Sequence, residues 1–170
     1  MTLSRCVLRS WQPGDAVSLV RHANNRNVSG NLRDLFPFPY TAADANAWID
    51  RTGGESPTRD FAIVIDGAAG GGISVRLGED VYRRSAEVGY WLGESFWGRG
   101  IATEALRAVT DYAFATFGDV IRLEAGVFSW NPASARVLEK AGYTLEGRLR
   151  QAIVKDGRVC DRLLYGLLRP

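Results

Sequence analysis

A chain of 170 residues has the length of one domain, since domains run to roughly 100–200 residues, and folding at that size removes roughly 70% of the unfolded surface from water. With 46% apolar, 24% charged and 11% aromatic residues, the composition excludes disordered, collagen-like and coiled-coil classes. The 21 Lys and Arg against 19 Asp and Glu leave a net charge of +2, without the clustered basic excess of nucleic-acid or membrane-surface proteins, so neither is expected as a partner.

Residues 4–10, SRCVLRS, alternate apolar and polar like a strand, with Cys6 and Leu8 on one face. Pro13-Gly14-Asp15 opens a helix through Ala16, Leu19, Val20 and Ala23 that ends near Asn24-Asn25. Residues 36–40, FPFPY, form no regular element, because proline lacks the donor and restricts its predecessor. Thr41 caps a second helix, TAADANAWIDR, with Ala45, Trp48 and Ile49 on its apolar stripe, and Gly53–Pro57 is a loop. FAIVID then reads as a strand, DGAAGGG as a turn and ISVRLG as its antiparallel partner. Gly70–Gly72 is expected in that hairpin turn rather than in a phosphate loop, because no Lys-Ser/Thr and no helix follow.

Residues 86–93, AEVGYWLG, form the next strand, followed by a short loop and Gly98-Arg99-Gly100. Behind the glycines Ala102, Leu106, Val109, Ala113 and Phe117 recur at helical spacing, and Gly118 ends the run. IRLEAGV, residues 121–127, alternates as a strand, and Asn131-Pro132 starts a short helix that stops at Gly142. Two closing strands, Tyr143–Lys155 and Arg158–Leu167, are joined by the hairpin dipeptide Asp156-Gly157. The order β-α-α-β-β-β-α-β-α-β-β predicts an α+β domain over residues 1–170. Its central sheet would be mixed, mostly antiparallel and flanked by helices, with 86–92 and 121–127 as parallel neighbours.

Cys6 and Cys160 lie at opposite ends with no CxxC spacing, and His22 is the one histidine. No metal site is therefore expected, and with no nucleophile motif such as GxSxG beside it, His22 reads as an ordinary surface or helix residue. The N-terminal MTLSRCVLRSW has no apolar core, and no stretch approaches roughly 18 apolar residues. The expected location is the cytoplasm, with reduced thiols.

The segment that carries chemistry runs from strand 86–92 through Gly98-Arg99-Gly100 into the helix. A glycine turn feeding a helix N-terminus aims unpaired N–H groups and partial positive charge at one point, which suits a phosphate. A plain tight turn is the competing reading. The spacing is no Rossmann fingerprint, since the third glycine is missing. A second helix start, Asn131-Pro132-Ala133-Ser134, follows the next strand, and paired strand ends leading into helices are a usual ligand cleft.

EVGYWLGESFWGRGIATEALRAVTDYAF and NPASARVLEKAGY resemble the acetyl-CoA-binding core of the GNAT N-acetyltransferases. With FPFPYT and the closing DGRVCDRLLYGLL, the chain is similar to the RimJ/RimL branch, which includes acetyltransferases of ribosomal-protein N-terminal amines and many uncharacterised relatives. The resemblance implies acetyl-CoA as co-substrate and an amine acceptor, and leaves a homodimer open. Its pyrophosphate loop falls on Trp97, Gly98, Arg99, Gly100, Ile101 and Ala102, through backbone amides; relatives carry Gln or Arg where this chain has Trp97. Pantetheine would pair with Trp91 and Leu92, where the parallel strands 86–92 and 121–127 are splayed in the family, and bond to Asn131, which equally reads as a helix cap. The Leu92 N–H would stabilise the thioester oxygen as charge develops.

Glu87 would be the general base, sharing a strand face with Gly89 and Trp91; a solvated strand carboxylate is the alternative. The family's acid tyrosine is replaced by Leu138, leaving Ser134 near the thiol as donor or simple helix cap. Phe36, Phe38, Tyr40 and Trp48 would border the acceptor, or anchor the core instead. Three functions follow as expectations. They are acetylation of a protein N-terminal amine, acetylation of a small amine, and CoA binding without turnover.

Overall fold

The computed structural model describes residues 1–170. Its elements are β1 (Val7–Ser10), α1 (Ala16–Ala23), α2 (Arg26–Ser29), α3 (Ala42–Thr52), β2 (Asp60–Ile65), β3 (Ala68–Leu77), β4 (Ser85–Leu92), α4 (Ile101–Thr116), β5 (Arg122–Phe128), α5 (Pro132–Lys140), β6 (Thr144–Lys155) and β7 (Arg158–Leu168). The seven strands form one sheet in the order β1-β2-β3-β4-β5-β7-β6. β4 and β5 run parallel, whereas β1–β2, β2–β3, β5–β7 and β6–β7 are antiparallel. This is the expected mixed α+β sheet. Backbone contacts divide the chain into two compact units, Met1–Ser74 with Tyr90–Ala105 and Val75–Gly89 with Leu106–Pro170.

In the first unit, α1 and α3 bury Leu19, Ala23, Ala45 and Ile49 with Trp11, Tyr40, Ala62, Val64 and Ala69. Thr41 begins α3 with a reciprocal cap: its hydroxyl accepts from Asp44 N–H, and the Asp44 carboxylate takes the Thr41 N–H at 2.8 Å. The one-turn helix α2 is not anticipated by periodicity, being too short to show any. It forms because the Asn25 side chain accepts from Asn27 N–H at 2.8 Å. β1 is shorter than the alternation suggests, starting at Val7 rather than Ser4; Ser4 and Arg5 instead give their N–H groups to Glu104.

The glycine run needs correction. The turn is confined to Asp66-Gly67, both at positive φ (50° and 83°), and Gly70, Gly71 and Gly72 lie buried inside β3, with Gly71 and Gly72 opposite Ile63 and Ala62 of β2 and Gly70 at the register shift beside them. They are glycines because the space beside them is taken. A Cβ on Gly71 would lie 2.5 Å from Trp91 O, and one on Gly70 2.5 Å from the Phe96 ring.

In the second unit, β4 and β5 pair over Ser85↔Arg122, Ala86↔Leu123 and Glu87↔Glu124. The β5–β7 ladder then runs on to Phe128. Leu106, Val109, Ala113, Leu123, Ala125, Val127, Leu138 and Tyr165 are among its buried residues, and Thr110 and Tyr143 share a buried 2.8 Å hydrogen bond. The Asp156-Gly157 turn closes the β6–β7 hairpin, both residues at positive φ (50° and 74°). No helix is long and apolar enough to cross a membrane.

Candidate active site

In the first unit the end of β4 is held from several directions. Gly93 N–H donates to Gly70 O at 2.8 Å, and the Trp97 indole Nε1 donates to Leu92 O at 2.7 Å. A single 3-10 turn, Glu94–Phe96, carries the chain from there to Trp97. Gly98 and Gly100 follow at φ 74° and 76°, a left-handed conformation that glycine adopts at no steric cost. Trp97 to Gly100 are exposed, and a Cβ on Gly98 would meet nothing within 4 Å. Ile101 is 1% exposed, so its side chain anchors the first turn of α4 while its backbone stays at the helix start. The first N–H groups of α4 have no partner within the helix. A backbone that is open, turned by two glycines and continued by a helix N-terminus fits a phosphate. Arg99 lies over the Phe96 ring, 5.6 Å from its centroid.

His22 and Glu94 complete this end of β4, and neither role is visible in the sequence. His22 packs against Gly93, where a Cβ would fall 2.8 Å from its Nδ1, and its ring centroid stands 5.0 Å from that of Phe96. Burial and then the neighbouring Arg21 push its pKa down, favouring neutral imidazole. Glu94 receives the Asn25 amide at 2.7 Å and the Asn27 amide at 2.8 Å, tying α2 to the turn. Such long-range pairs leave no periodic signal.

The aromatic residues separate in the structure. Phe36 contacts Trp91 edge-on at 5.4 Å and Tyr40 at 5.0 Å, and Phe36, Trp48 and Trp91 pack half-buried on the core that holds Tyr40. Burial, followed by the Asp44 charge, pushes the Tyr40 hydroxyl up to about 12. Phe38 is exposed beneath the Arg26 guanidinium at 4.9 Å.

Glu87, Asn131 and Ser134 belong to the second unit. Glu87 is half-buried on β4 and stands opposite Glu124. Glu124 in turn accepts from Arg122 Nε at 3.3 Å, and Arg122 also bonds Glu146 at 2.8 Å. Asn131 Oδ1 accepts from Ser134 N–H at 3.1 Å, so the capping role expected of this asparagine is present, with Ser134 in the first turn it closes. Leu138 is fully buried; that position offers no proton donor. No group of three or more His, Cys, Asp or Glu is placed to hold a metal ion, and both cysteines are free and buried.

Residues 5–144 match the family model described as an acetyltransferase (GNAT) domain. The chain belongs to the GNAT acetyltransferase family. It is 42% identical over 87 residues to the probable N-acetyltransferase YjcK of Bacillus subtilis (strain 168), covering 51% of this chain and 48% of that protein. Over 82 residues it is 41% identical to a ribosomal-protein-serine acetyltransferase of Escherichia coli (strain K12), covering 48% and 45%. These matches span about half the length of the curated relatives. A solved structure described as Mycobacterium smegmatis RimJ in complex with CoA-disulfide superposes with a TM-score of 0.80 at 28% identity, covering 95% of this chain and 80% of that one.

Proposed function

We infer that the chain is an acetyl-CoA-dependent N-acetyltransferase, acting as one domain over residues 1–170, that moves an acetyl group to a primary amine by direct transfer in a ternary complex. The observation that carries this is the open turn from Trp97 to Gly100 leading into the start of α4, in a chain of the GNAT family. Its backbone amides would hold the pyrophosphate, and Trp91, Leu92 and Asn131 the pantetheine arm. The Leu92 N–H would meet the thioester oxygen as charge develops. Glu87 would take the proton of the attacking amine, and Ser134 would donate towards the leaving thiolate. Phe38, the exposed member of the aromatic set, is the residue proposed to meet the acceptor, with Phe36, Tyr40 and Trp48 as its packed support.

The acceptor is a protein N-terminal amine. This rests on the similarity to the ribosomal-protein-serine acetyltransferase and on the 28% identical RimJ structure. The test is thiol release from acetyl-CoA in the presence of peptides with free N-termini and of small amines. Release with the peptides is the expected result. Release with small amines alone would replace the acceptor class, and no release above background with any amine would overturn the enzymatic reading.

A further inference from the structure

A carboxylate in the first turn of α4 is at first sight misplaced. Glu104 enjoys the helix dipole there, but a phosphate held at the same helix start would be repelled by it. The structure commits both of its oxygens elsewhere. Ser4 N–H and Ser4 Oγ donate to Oε1 at 3.0 and 2.6 Å, and Arg5 N–H donates to Oε2 at 3.0 Å. These hydrogen bonds outweigh the effect of burial and hold the carboxyl below its usual range.

The consequence for Arg5 is positional. Its backbone is stapled to α4, 99 positions later in the chain. From there its side chain reaches over the glycine turn: a Cβ on Gly100 would lie 3.6 Å from Arg5 Nε, 3.8 Å from Cζ and 3.9 Å from Cδ. The residue is exposed, and its guanidinium makes a single long contact, Nη1 to Ser4 Oγ at 3.5 Å. Arg99, the arginine within the turn, is by contrast drawn onto the Phe96 ring. A guanidinium beside an open glycine turn, attracted by the Glu104 charge but making only one long hydrogen bond, has the planar fork that binds phosphate oxygens in pairs.

We propose that Arg5, held by Glu104, is a phosphate-binding residue that the N-terminal segment adds to the turn, and that it takes the pyrophosphate of the co-substrate. This deepens the acetyl-CoA reading above and rests on it. Glu104 is a positioning residue that acts through Arg5. The acetyl-CoA reading puts the thioester at Leu92 and assigns neither group to it, so both belong to affinity rather than to the chemical step.

The test is calorimetric titration of the full chain with CoA and with dephospho-CoA, for the wild type, Arg5→Ala, Arg5→Lys, Glu104→Ala and the Arg5→Ala/Glu104→Ala pair. Arg5→Ala is expected to weaken both ligands by about 10–100-fold, the loss of a charged hydrogen-bond partner. Arg5→Lys, which keeps the charge but not the fork, falls between. Glu104→Ala also weakens binding, and the double variant binds no worse than Arg5→Ala, as coupled residues do. Arg5→Ala melts with the wild type and keeps its kcat at saturating acetyl-CoA while KM rises. Binding by Arg5→Ala within twofold of wild type overturns the proposal, as does a loss seen with CoA but not with dephospho-CoA, which would assign Arg5 to the 3′-phosphate. A wild type that binds neither ligand overturns the acetyl-CoA reading itself and is told apart from the first two outcomes by the unmutated control.

Discussion

Asp15 sits 5% exposed and charged. Burial works against that charge, but the Arg9 fork (2.7 and 2.8 Å) and the Gln12 N–H at 2.9 Å hold the carboxyl below its usual range. A carboxyl lowered on folding stabilises fully above its unfolded value, about 3.9, and loses that contribution as pH falls through the lower folded value. Thermal melts should therefore show an acid-dependent drop below about pH 4 that Asp15→Asn makes shallower. Arg9→Ala should cost on the order of 3 kcal/mol at neutral pH, since it leaves a buried charge unpaired. For Glu87 and Ser134 the prediction is kinetic. Glu87→Gln and Ser134→Ala should lower kcat and leave acetyl-CoA affinity nearly unchanged. The Glu87→Gln loss should be about 10²–10⁴-fold near neutral pH and smaller at higher pH, where more amine is already deprotonated. Equal losses in rate and affinity would make both residues structural.

The elements divide into those that local chemistry specifies and those that packing specifies. Thr41 at the start of α3, Asn131-Pro132 at the start of α5 and Asp156-Gly157 in the last hairpin act through their own backbone, and each is legible from neighbouring residues. Gly70–Gly72 is not. These residues look like a turn, yet their small size serves the close approach of β3 to Trp91, Leu92 and Phe96. That requirement depends on residues some twenty positions away. It predicts a contrast between two glycines of similar local appearance. Gly71→Ala should destabilise by about 1–3 kcal/mol, because the nearest atom is backbone oxygen and cannot turn aside. Gly147→Ala, with open space around it and no unusual φ, should stay within about 0.5 kcal/mol. Chemical denaturation of the two variants measures both.

At the scale of the whole molecule, the succession of strands and helices and the parallel β4–β5 pair were legible in the chain, whereas the spatial strand order, with β7 between β5 and β6, comes from the fold. The turn at Gly98–Gly100 is legible because its conformation is carried by the two glycines themselves. Its surroundings were not, because the staple from Ser4 and Arg5 to Glu104, the His22 ring on Gly93 and the Asn25–Glu94–Asn27 link join residues far apart in sequence. Periodicity sees faces and caps, and such partners become visible only once the chain is folded. The acceptor is the least legible part, since Phe36, Tyr40 and Trp48 serve the core as well as they would a ligand.

The central claim is that acetyl-CoA binds through the turn at Gly98–Gly100, and calorimetric titration of acetyl-CoA into the wild type and Gly100→Val tests it most directly. The wild type should bind with a Kd in the micromolar range, a free energy of about −8 kcal/mol. Gly100→Val should stay folded by circular dichroism and lose binding, because a branched side chain at positive φ distorts the turn and blocks backbone approach to the phosphates. No heat from the wild type, or a folded Gly100→Val that binds as the wild type does, would contradict the account.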